Sequence, residues 1–316
     1  MSDTLVQLGR GPEGERAPRQ GRPEWLRIRL QTPARYHQVK RLVEKLNLNT
    51  VCQEARCPNI YECWGQHGTA TFMILGEICT RRCGFCAVTS GRPRPGVDAE
   101  EPAHVAEAVA VMGLSHAVIT SVDRDDLPDG GARHFAAVIE AIHERTPTTA
   151  VEVLTPDFRG VADALDLVLG AAPEIFSHNT ETVPRLYRQA RPGSRYDRTL
   201  GLLAEAARRR DAGTYAGRVK TGIMVGLGET HDEVLATIAD IRGAGVEVLT
   251  IGQYLQPTTK HLPVVRWVTP EEFAAFREHA LSLGFAHCES GPLVRSSYHA
   301  HEHVGNALHA VHATIA

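Results

Sequence analysis

From residue 69 onward, short apolar runs rich in β-branched residues alternate with longer stretches of helical period. The runs are TATFMIL (69–75), HAVITSV (116–122), TAVEVLTP (149–156), EIFSHN (174–179), VKTGIMVG (219–226) and VEVLTIGQY (246–254), each of strand length. Between them, AEEPAHVAEAVAVMG, ARHFAAVIEAIHERT, RTLGLLAEAARRRDAG and THDEVLATIADIRGAG space their apolar residues at helical intervals among good helix formers. Several stop at a glycine, where a helix C-cap is expected. Repeated strand-helix units predict a parallel sheet. Closed into a barrel or left as an open arc, such a sheet presents ligands at the carboxyl ends of its strands.

Polar residues fall at those ends. The first strand is followed by a cysteine loop, the second by Asp123, Asp125 and Asp126 of DRDD, the fourth by Asn179 and Glu181, the fifth by Glu229 of GLGE and the sixth by Gln253 and Gln256. Ahead of the sheet, ARYHQVKRLVEKLN reads as a helix leading into a second cysteine-bearing loop. The expected organisation is an N-terminal arm (1–24), an extension (25–68), the partial barrel (69–284) and a C-terminal segment (285–316). A chain of 316 residues, 43% hydrophobic and 22% charged, buries a sizeable core, and a formal charge of -3 supplies no basic field for nucleic acid. Its apolar runs fall far short of the roughly 20 residues that span a bilayer. The first residues mix Arg with Asp and Glu and lack an apolar core, unlike a secretory signal or a transit peptide, so a cytoplasmic protein is expected.

Six of the seven cysteines stand in two triplets: Cys52, Cys57 and Cys63 in VCQEARCPNIYECWG, and Cys79, Cys83 and Cys86 in GEICTRRCGFCAV. Structural disulfides are rare in a reducing compartment. Structural zinc takes four protein ligands in closely spaced pairs, and the redox pair C-x-x-C at Cys83 and Cys86 lacks a thioredoxin-like context. Iron-sulfur clusters suit the pattern best, because soft thiolates at short spacing hold three corners of a four-iron cube from one wrapped loop. At Cys79-x-x-x-Cys83-x-x-Cys86 nothing nearby supplies a fourth ligand, which leaves one iron open to a molecule from solution. For the first triplet the chemically obvious fourth ligand is Cys288, a softer donor than a hydroxyl.

C-x-x-x-C-x-x-C directly after the first strand of a partial barrel resembles the radical S-adenosylmethionine superfamily, and Phe85 stands where an aromatic residue lies near the adenine. Residues 25 to 300 resemble the lipoyl synthase family, on C-x4-C-x5-C together with ITSVDRDDLPDGGA, VEVLTPDFRG, FSHNTETVPRLY, ARPGSRYDRTL, KTGIMVGLGET, LTIGQYLQPT and RSSYHA. The resemblance implies an α/β fold, a partial (β/α)6 TIM-like barrel of parallel strands with N-terminal and C-terminal extensions. It implies two 4Fe-4S clusters: a radical-generating one on Cys79, Cys83 and Cys86 that binds S-adenosylmethionine, and an auxiliary one on Cys52, Cys57 and Cys63, closed by Ser297 of RSSY and consumed as the sulfur source. The implied reaction inserts sulfur at C6 and C8 of an octanoyl-lysine on a lipoyl carrier domain. The implied carriers are acyltransferase subunits of 2-oxoacid dehydrogenases and the glycine cleavage H protein. The implied helpers are an electron donor such as flavodoxin or ferredoxin and a cluster-repair carrier.

Beside these stand candidates with two readings each. Asn179, Arg191 and Arg195 offer an amide and guanidinium groups to the methionine carboxylate or the ribose, or form a solvated helix start. Glu229 lies, by the resemblance, beside the adenosine, or else belongs to a tight turn before a helix; His231 stands where a dinucleotide fingerprint needs glycine. DRDD lacks the spacing of a calcium loop and reads as a capped helix start or a cavity wall. His299, His301 and His303 depart from the family's tail and read as exposed, binding metal only adventitiously. Rival functions are another sulfur-inserting radical enzyme and a non-catalytic iron-sulfur carrier or sensor.

Overall fold

The computed structural model describes residues 21–26, 34–45, 48–54, 59–64, 69–298 and 300–303. Residues 1–20 of the expected arm, Cys57 and His299 lie outside the described residues. The strands, in chain order, are β1 (Asn49–Thr50), β2 (Thr69–Ile74), β3 (Ile78–Cys79), β4 (Thr89–Ser90), β5 (His116–Ser121), β6 (Ala150–Leu154), β7 (Ile175–Ser177), β8 (Arg218–Val225), β9 (Val248–Gln253) and β10 (His287–Gly291). The main sheet has the order β1-β2-β5-β6-β7-β8-β9-β10, so each crossover advances to the next position, and every pairing from β2 to β10 is parallel. Only β1 is antiparallel, pairing Thr50 with Phe72 at the edge. β3 and β4 form a separate parallel pair.

The six apolar runs become β2, β5, β6, β7, β8 and β9. Both faces of these strands are covered, and β2 and β9 are buried at every position, as expected of parallel strands. Helices cover the outer face. Ala132–Arg145 buries Phe135, Val138, Ile139 and Ile142 at helical spacing and packs on Glu101–Met112. The latter helix stops at Gly113, whose φ of 58° favours a residue without a Cβ. Thr230 and Thr269 start the helices His231–Gly243 and Pro270–Ser282 with reciprocal capping boxes to Glu233 and Glu272. No helix among the described residues is long and apolar enough to cross a membrane.

One expectation of the barrel needs correcting. The parallel sheet has a seventh strand, β10, beyond the six expected, and it runs on past residue 284. HCESG carries one buried side chain in five, Cys288, so hydrophobic pattern does not reveal it. Backbone pairing to β9 and the bond from Ser290 Oγ to Phe273 O hold it instead.

The extension and the C-terminal segment meet beside β2. Tyr36 of helix Ala34–Lys45 packs its ring 5.7 Å from that of Trp64 and 4.7 Å from that of Tyr61. Asn59 Nδ2 donates to Leu293 O at 2.9 Å. Val294 lies so close to β9 that a Cβ on Gly252 would come within 2.2 Å of its carbonyl oxygen, so glycine is required there. The strap after β10 then brings Ser297 Oγ to 3.1 Å from Thr71 Oγ1 of β2. His303 corrects the reading of an exposed histidine tail: it is completely buried, with its ring 4.6 Å from His287. The physical reason is an acceptor it provides inside the barrel, to the ammonium of Lys220 3.0 Å away.

Candidate functional site

The cysteine loop follows β2 at the carboxyl end of the sheet. Cys79 ends β3, and its carbonyl accepts from Gly91 N at 2.9 Å, while Cys86 N donates to Cys83 O at 3.2 Å. All three thiols are free and half-buried. Cys79 Sγ accepts backbone N–H bonds from Arg81 and Asp123, both at 3.4 Å, which favours the thiolate that a metal needs. Burial works the other way: it pushes the Cys79 thiol up to about 11 and the Cys83 thiol up to about 12, and raises Cys86. Metal loading on this loop therefore expels protons. Among the described residues no three His, Cys, Asp or Glu side chains converge on a point as ligands of a single ion would. Ligands of a cluster each hold a different iron, and three wrapped thiols with sulfur-directed N–H donors fit that demand.

Arg81, inside the loop, is the hub that fixes it to the rim. Its guanidinium, nearly buried, forms a bidentate pair with Asp125 at 2.8 Å to each oxygen, reaches Asp157 at 2.6 Å and Asp123 at 3.3 Å, and donates to Ser194 at 3.0 Å. These partners follow β5, β6 and β7, so one side chain ties the cysteine loop to three further crossings of the sheet. Asp126 pairs instead with Arg124, itself buried and donating to Leu75 O. DRDD is thus matched by arginines. From the opposite side, the loop after β9 closes down on the cysteines: Leu262 N donates to Gly84 O and His261 Nε2 to Cys86 O, both at 2.9 Å. A Cβ on Gly84 would sit 2.9 Å from Leu262 Cγ. Phe85 is half-buried beside the core.

Across the rim, Arg191 is buried and donates to Asn179 O at 2.6 Å and Tyr187 Oη at 3.1 Å. It is close enough to Cys83 that its charge counters part of the burial that raises that thiol. Asn179 Nδ2 donates to Glu181 at 3.1 Å, while its buried Oδ1 has no hydrogen-bond partner. Burial pushes the Glu181 carboxyl up, with Arg191 opposing. His178 lies beneath, its pKa lowered to about 3 by burial and by Arg191, so it is neutral; it bridges Thr155 O and Thr199 Oγ1. A buried guanidinium, an amide whose Oδ1 has no hydrogen-bond partner and the half-buried carboxyl of Glu181 thus line the rim beside the thiol triplet.

Two expected contacts look different in the fold. Arg195 is turned to solvent, 70% exposed and paired with Asp197 at the start of helix Tyr196–Asp211; the exposed helix start, and not cofactor contact, describes it. Glu229 is buried, but its carboxylate accepts from Gly226 N at 2.5 Å and Leu227 N at 3.0 Å. It shapes the turn after β8, where Gly226 at φ 100° leaves no space for a Cβ against Gln253 Nε2.

Of the first triplet, Cys52 is buried just after β1 and Cys63 is half-buried. The strap meets the elements that flank them: Ser297 bonds Thr71, whose neighbour Phe72 pairs with Thr50, and Asn59 bonds Leu293. Cys288 is buried on β10, where His287 faces His303 in the barrel; by the alternation of a strand, Cys288 points to the opposite, helix-covered face. Arg277 of helix Pro270–Ser282 bonds its carbonyl there. The residues that sequence reasoning missed are Arg81, His261 and Leu262. The adjacent arginines in TRRC facing an acid-rich DRDD offered a signal for the first; the other two act through position alone.

An open arc of parallel strands with a C-x-x-x-C-x-x-C loop at the carboxyl end of its first member defines the radical SAM class of enzymes. Residues 73–241 match the Radical SAM superfamily. SuiB of Streptococcus suis, solved with precursor peptide SuiA, shares the fold with a TM-score of 0.54 at 10% identity, over 81% of this chain and 52% of that one. The FeFe-hydrogenase maturase HydG from Carboxydothermus hydrogenoformans does so with a TM-score of 0.51 at 15% identity, over 85% and 69%. Residues 9–57 match the N-terminal domain of lipoyl synthase. The lipoyl synthase of Rubrobacter xylanophilus is 56% identical over 92% of this chain and 88% of its own length, and that of Koribacter versatilis is 54% identical over 96% of each. The chain belongs to the lipoyl synthase family, enzymes that use S-adenosylmethionine and two 4Fe-4S clusters on a substrate borne by a lipoyl-carrier protein.

Proposed function

We propose that Cys79, Cys83 and Cys86 hold the radical-generating cluster, that Cys52, Cys57, Cys63 and Ser297 hold the auxiliary cluster, and that the chain inserts two sulfur atoms at C6 and C8 of a protein-bound octanoyl-lysine. The observation that supports the division is that Cys79, Cys83 and Cys86 stand on the rim beside Arg191 and Asn179, whereas Cys52 and Cys63 belong to the extension, which meets the strap. When bound, S-adenosylmethionine and its cluster supply the radical that removes hydrogen from an unactivated carbon, and the auxiliary cluster supplies sulfur. The chain's own part is position. Arg191 and the free Oδ1 of Asn179 orient the amino acid end of the cofactor. Phe85 lines the adenine side, and Glu229 holds the turn after β8 that borders it. Arg81 fixes the thiol loop, and Leu262 and His261 close over it, excluding water from a site where a stray radical would be quenched.

Ser297 is chosen over Cys288 because it lies with the extension beside β2, whereas Cys288 faces the helices. An oxygen ligand, weaker than thiolate for iron, suits a cluster that gives up sulfur. The substrates are octanoylated acyltransferase subunits of 2-oxoacid dehydrogenases and the glycine cleavage H protein. Flavodoxin or ferredoxin delivers electrons, a carrier rebuilds the auxiliary cluster, and the work takes place in the cytoplasm. Residues 69–284, extended by β10, act as the radical barrel, with 25–68 and the rest of 285–316 as the flanking pieces that house the auxiliary cluster.

Anaerobic reconstitution followed by iron counting tests this reading, with reductant, S-adenosylmethionine and an octanoylated lipoyl-domain peptide then added. The expected result is about eight irons per chain, as two four-iron clusters require, with 5'-deoxyadenosine and a dithiolated peptide. Bound zinc in place of iron, or intact S-adenosylmethionine, overturns it.

A further inference from the structure

In the amino-end half of the barrel, Lys220 of β8 and Glu152 of β6 are both fully buried, with Nζ 2.8 and 3.0 Å from the two carboxylate oxygens. His116 Nε2 stands 3.5 Å from the same carboxylate. The charges of the pair cancel, but an ammonium has three donors and no acceptor, and a buried donor left unmade is costly. The further acceptor on Lys220 is Nδ1 of His303, 3.0 Å away, and it comes from the chain's own C-terminal strap instead of from a strand. His303 is fully buried, its ring tilted against that of His287 at the start of β10, and its turn, Ala300–His303, packs against β5. The same strap carries Ser297 one short step earlier, at 3.1 Å from Thr71.

We propose that Lys220, held by Glu152, latches the C-terminal strap through His303 and so positions Ser297 beside the first cysteine triplet. His303 is then a positioning residue for the auxiliary cluster, an assignment that rests on reading Ser297 as the cluster's oxygen ligand. The strap has few apolar anchors of its own after Val294. Upstream of and at Ser297 the strap is fastened by single hydrogen bonds and the close seat of Val294 on Gly252. Downstream, the turn that packs on β5 carries His303 to Lys220, so the serine is held from both sides.

The test uses the whole chain with His303→Leu and His303→Gln. Leucine fills the space without an acceptor, and glutamine restores a carbonyl oxygen that an ammonium reaches. Neither change removes the Lys220–Glu152 pair, so the barrel keeps its charge balance. Hydrogen exchange is followed over 290–303 in the metal-free chain, and the spectrum of the auxiliary cluster is followed after reconstitution, beside Ser297→Ala. The latch predicts that leucine accelerates exchange of the strap by about tenfold or more, that glutamine returns it towards the original rate, and that the leucine variant's cluster spectrum moves towards that of Ser297→Ala. Unchanged exchange with leucine, or equal loosening with leucine and glutamine, overturns the latch whatever Ser297 does. A loosened strap with the cluster spectrum unaltered in both the leucine variant and Ser297→Ala supports the latch and overturns the assignment of Ser297.

Discussion

Replacing Arg81 by Met removes a cation that three carboxylates share while keeping most of the side chain's bulk. Asp157 has no exposed side-chain surface, whereas Asp123 and Asp125 are 20% and 26% exposed. Deleting one partner of a buried ion pair costs about 3–5 kcal/mol. Two features pull towards the lower end: Asp157 keeps Arg198 at 3.1 Å, and water reaches the other two carboxylates. The expected loss is therefore about 3 kcal/mol, which lowers Tm by about 4–6 °C for a chain of this size. Burial pushes the Asp157 carboxyl up, but the hydrogen bond and charge of Arg81 more than offset it, so its pKa sits below the ordinary value. Such a group stabilises the fold above its unfolded pKa of about 3.9, and the contribution fades as pH falls through the lower folded value. The Tm gap between the original chain and the variant should therefore narrow below about pH 4. Thermal unfolding of the metal-free chain, followed by circular dichroism at about pH 7 and about pH 3, measures both effects. A Tm change under about 2 °C, or a gap as wide in acid as at neutrality, would refute the role of Arg81 as a charge hub.

Cys83→Ala should abolish 5'-deoxyadenosine formation, while Cys57→Ala should leave it measurable and abolish sulfur insertion; loss of sulfur insertion alone in both variants would break the division between the triplets. Ser297→Ala should cost dithiolated product and Cys288→Ala should be tolerated, and the reverse result, read by mass spectrometry of the peptide, returns the fourth ligand to the cysteine. Gly84→Ala places a Cβ 2.9 Å from Leu262 Cγ and 3.2 Å from Gln189 O. Because misplacement of a reacting group by about 1 Å costs about a hundredfold, cleavage of S-adenosylmethionine should fall by about tenfold to a hundredfold, with iron content retained; normal cleavage counts against the closing loop.

The strands were legible wherever both faces of a strand are covered, because burial on two sides demands a continuous apolar run. β10 escaped for the same reason: HCESG buries only Cys288, and an edge strand is held by its backbone. The proposed cysteine ligands of the rim could be picked out because one wrapped loop carries all three, so their spacing survives in the linear sequence. Arg195 and Glu229 were placed correctly along the chain, but pattern does not say which way a side chain turns. Arg195 has Asp197 two residues on as a nearer partner, and Glu229 has two backbone N–H groups of its own turn.

What escaped altogether was the support beneath the ligands. Arg81 meets Asp125 and Asp157 at separations of 44 and 76 residues, and Lys220 meets His303 at 83. No local spacing records such pairs; a parallel sheet creates them by bringing the same end of successive strands to one rim. DRDD illustrates the consequence. Read alone, its three acids raise the question of a hard cation, yet the cations are guanidinium groups, Arg81 from the cysteine loop and Arg124 from within the motif. The alternating histidines of the tail raised the question of a metal in the same way, and His303 is drawn inward by an ammonium already seated on Glu152. In both places a polar cluster that looks ready for an ion in the sequence is satisfied in the fold by a buried side-chain cation, and that cation stands where it fixes a segment carrying a proposed cluster ligand.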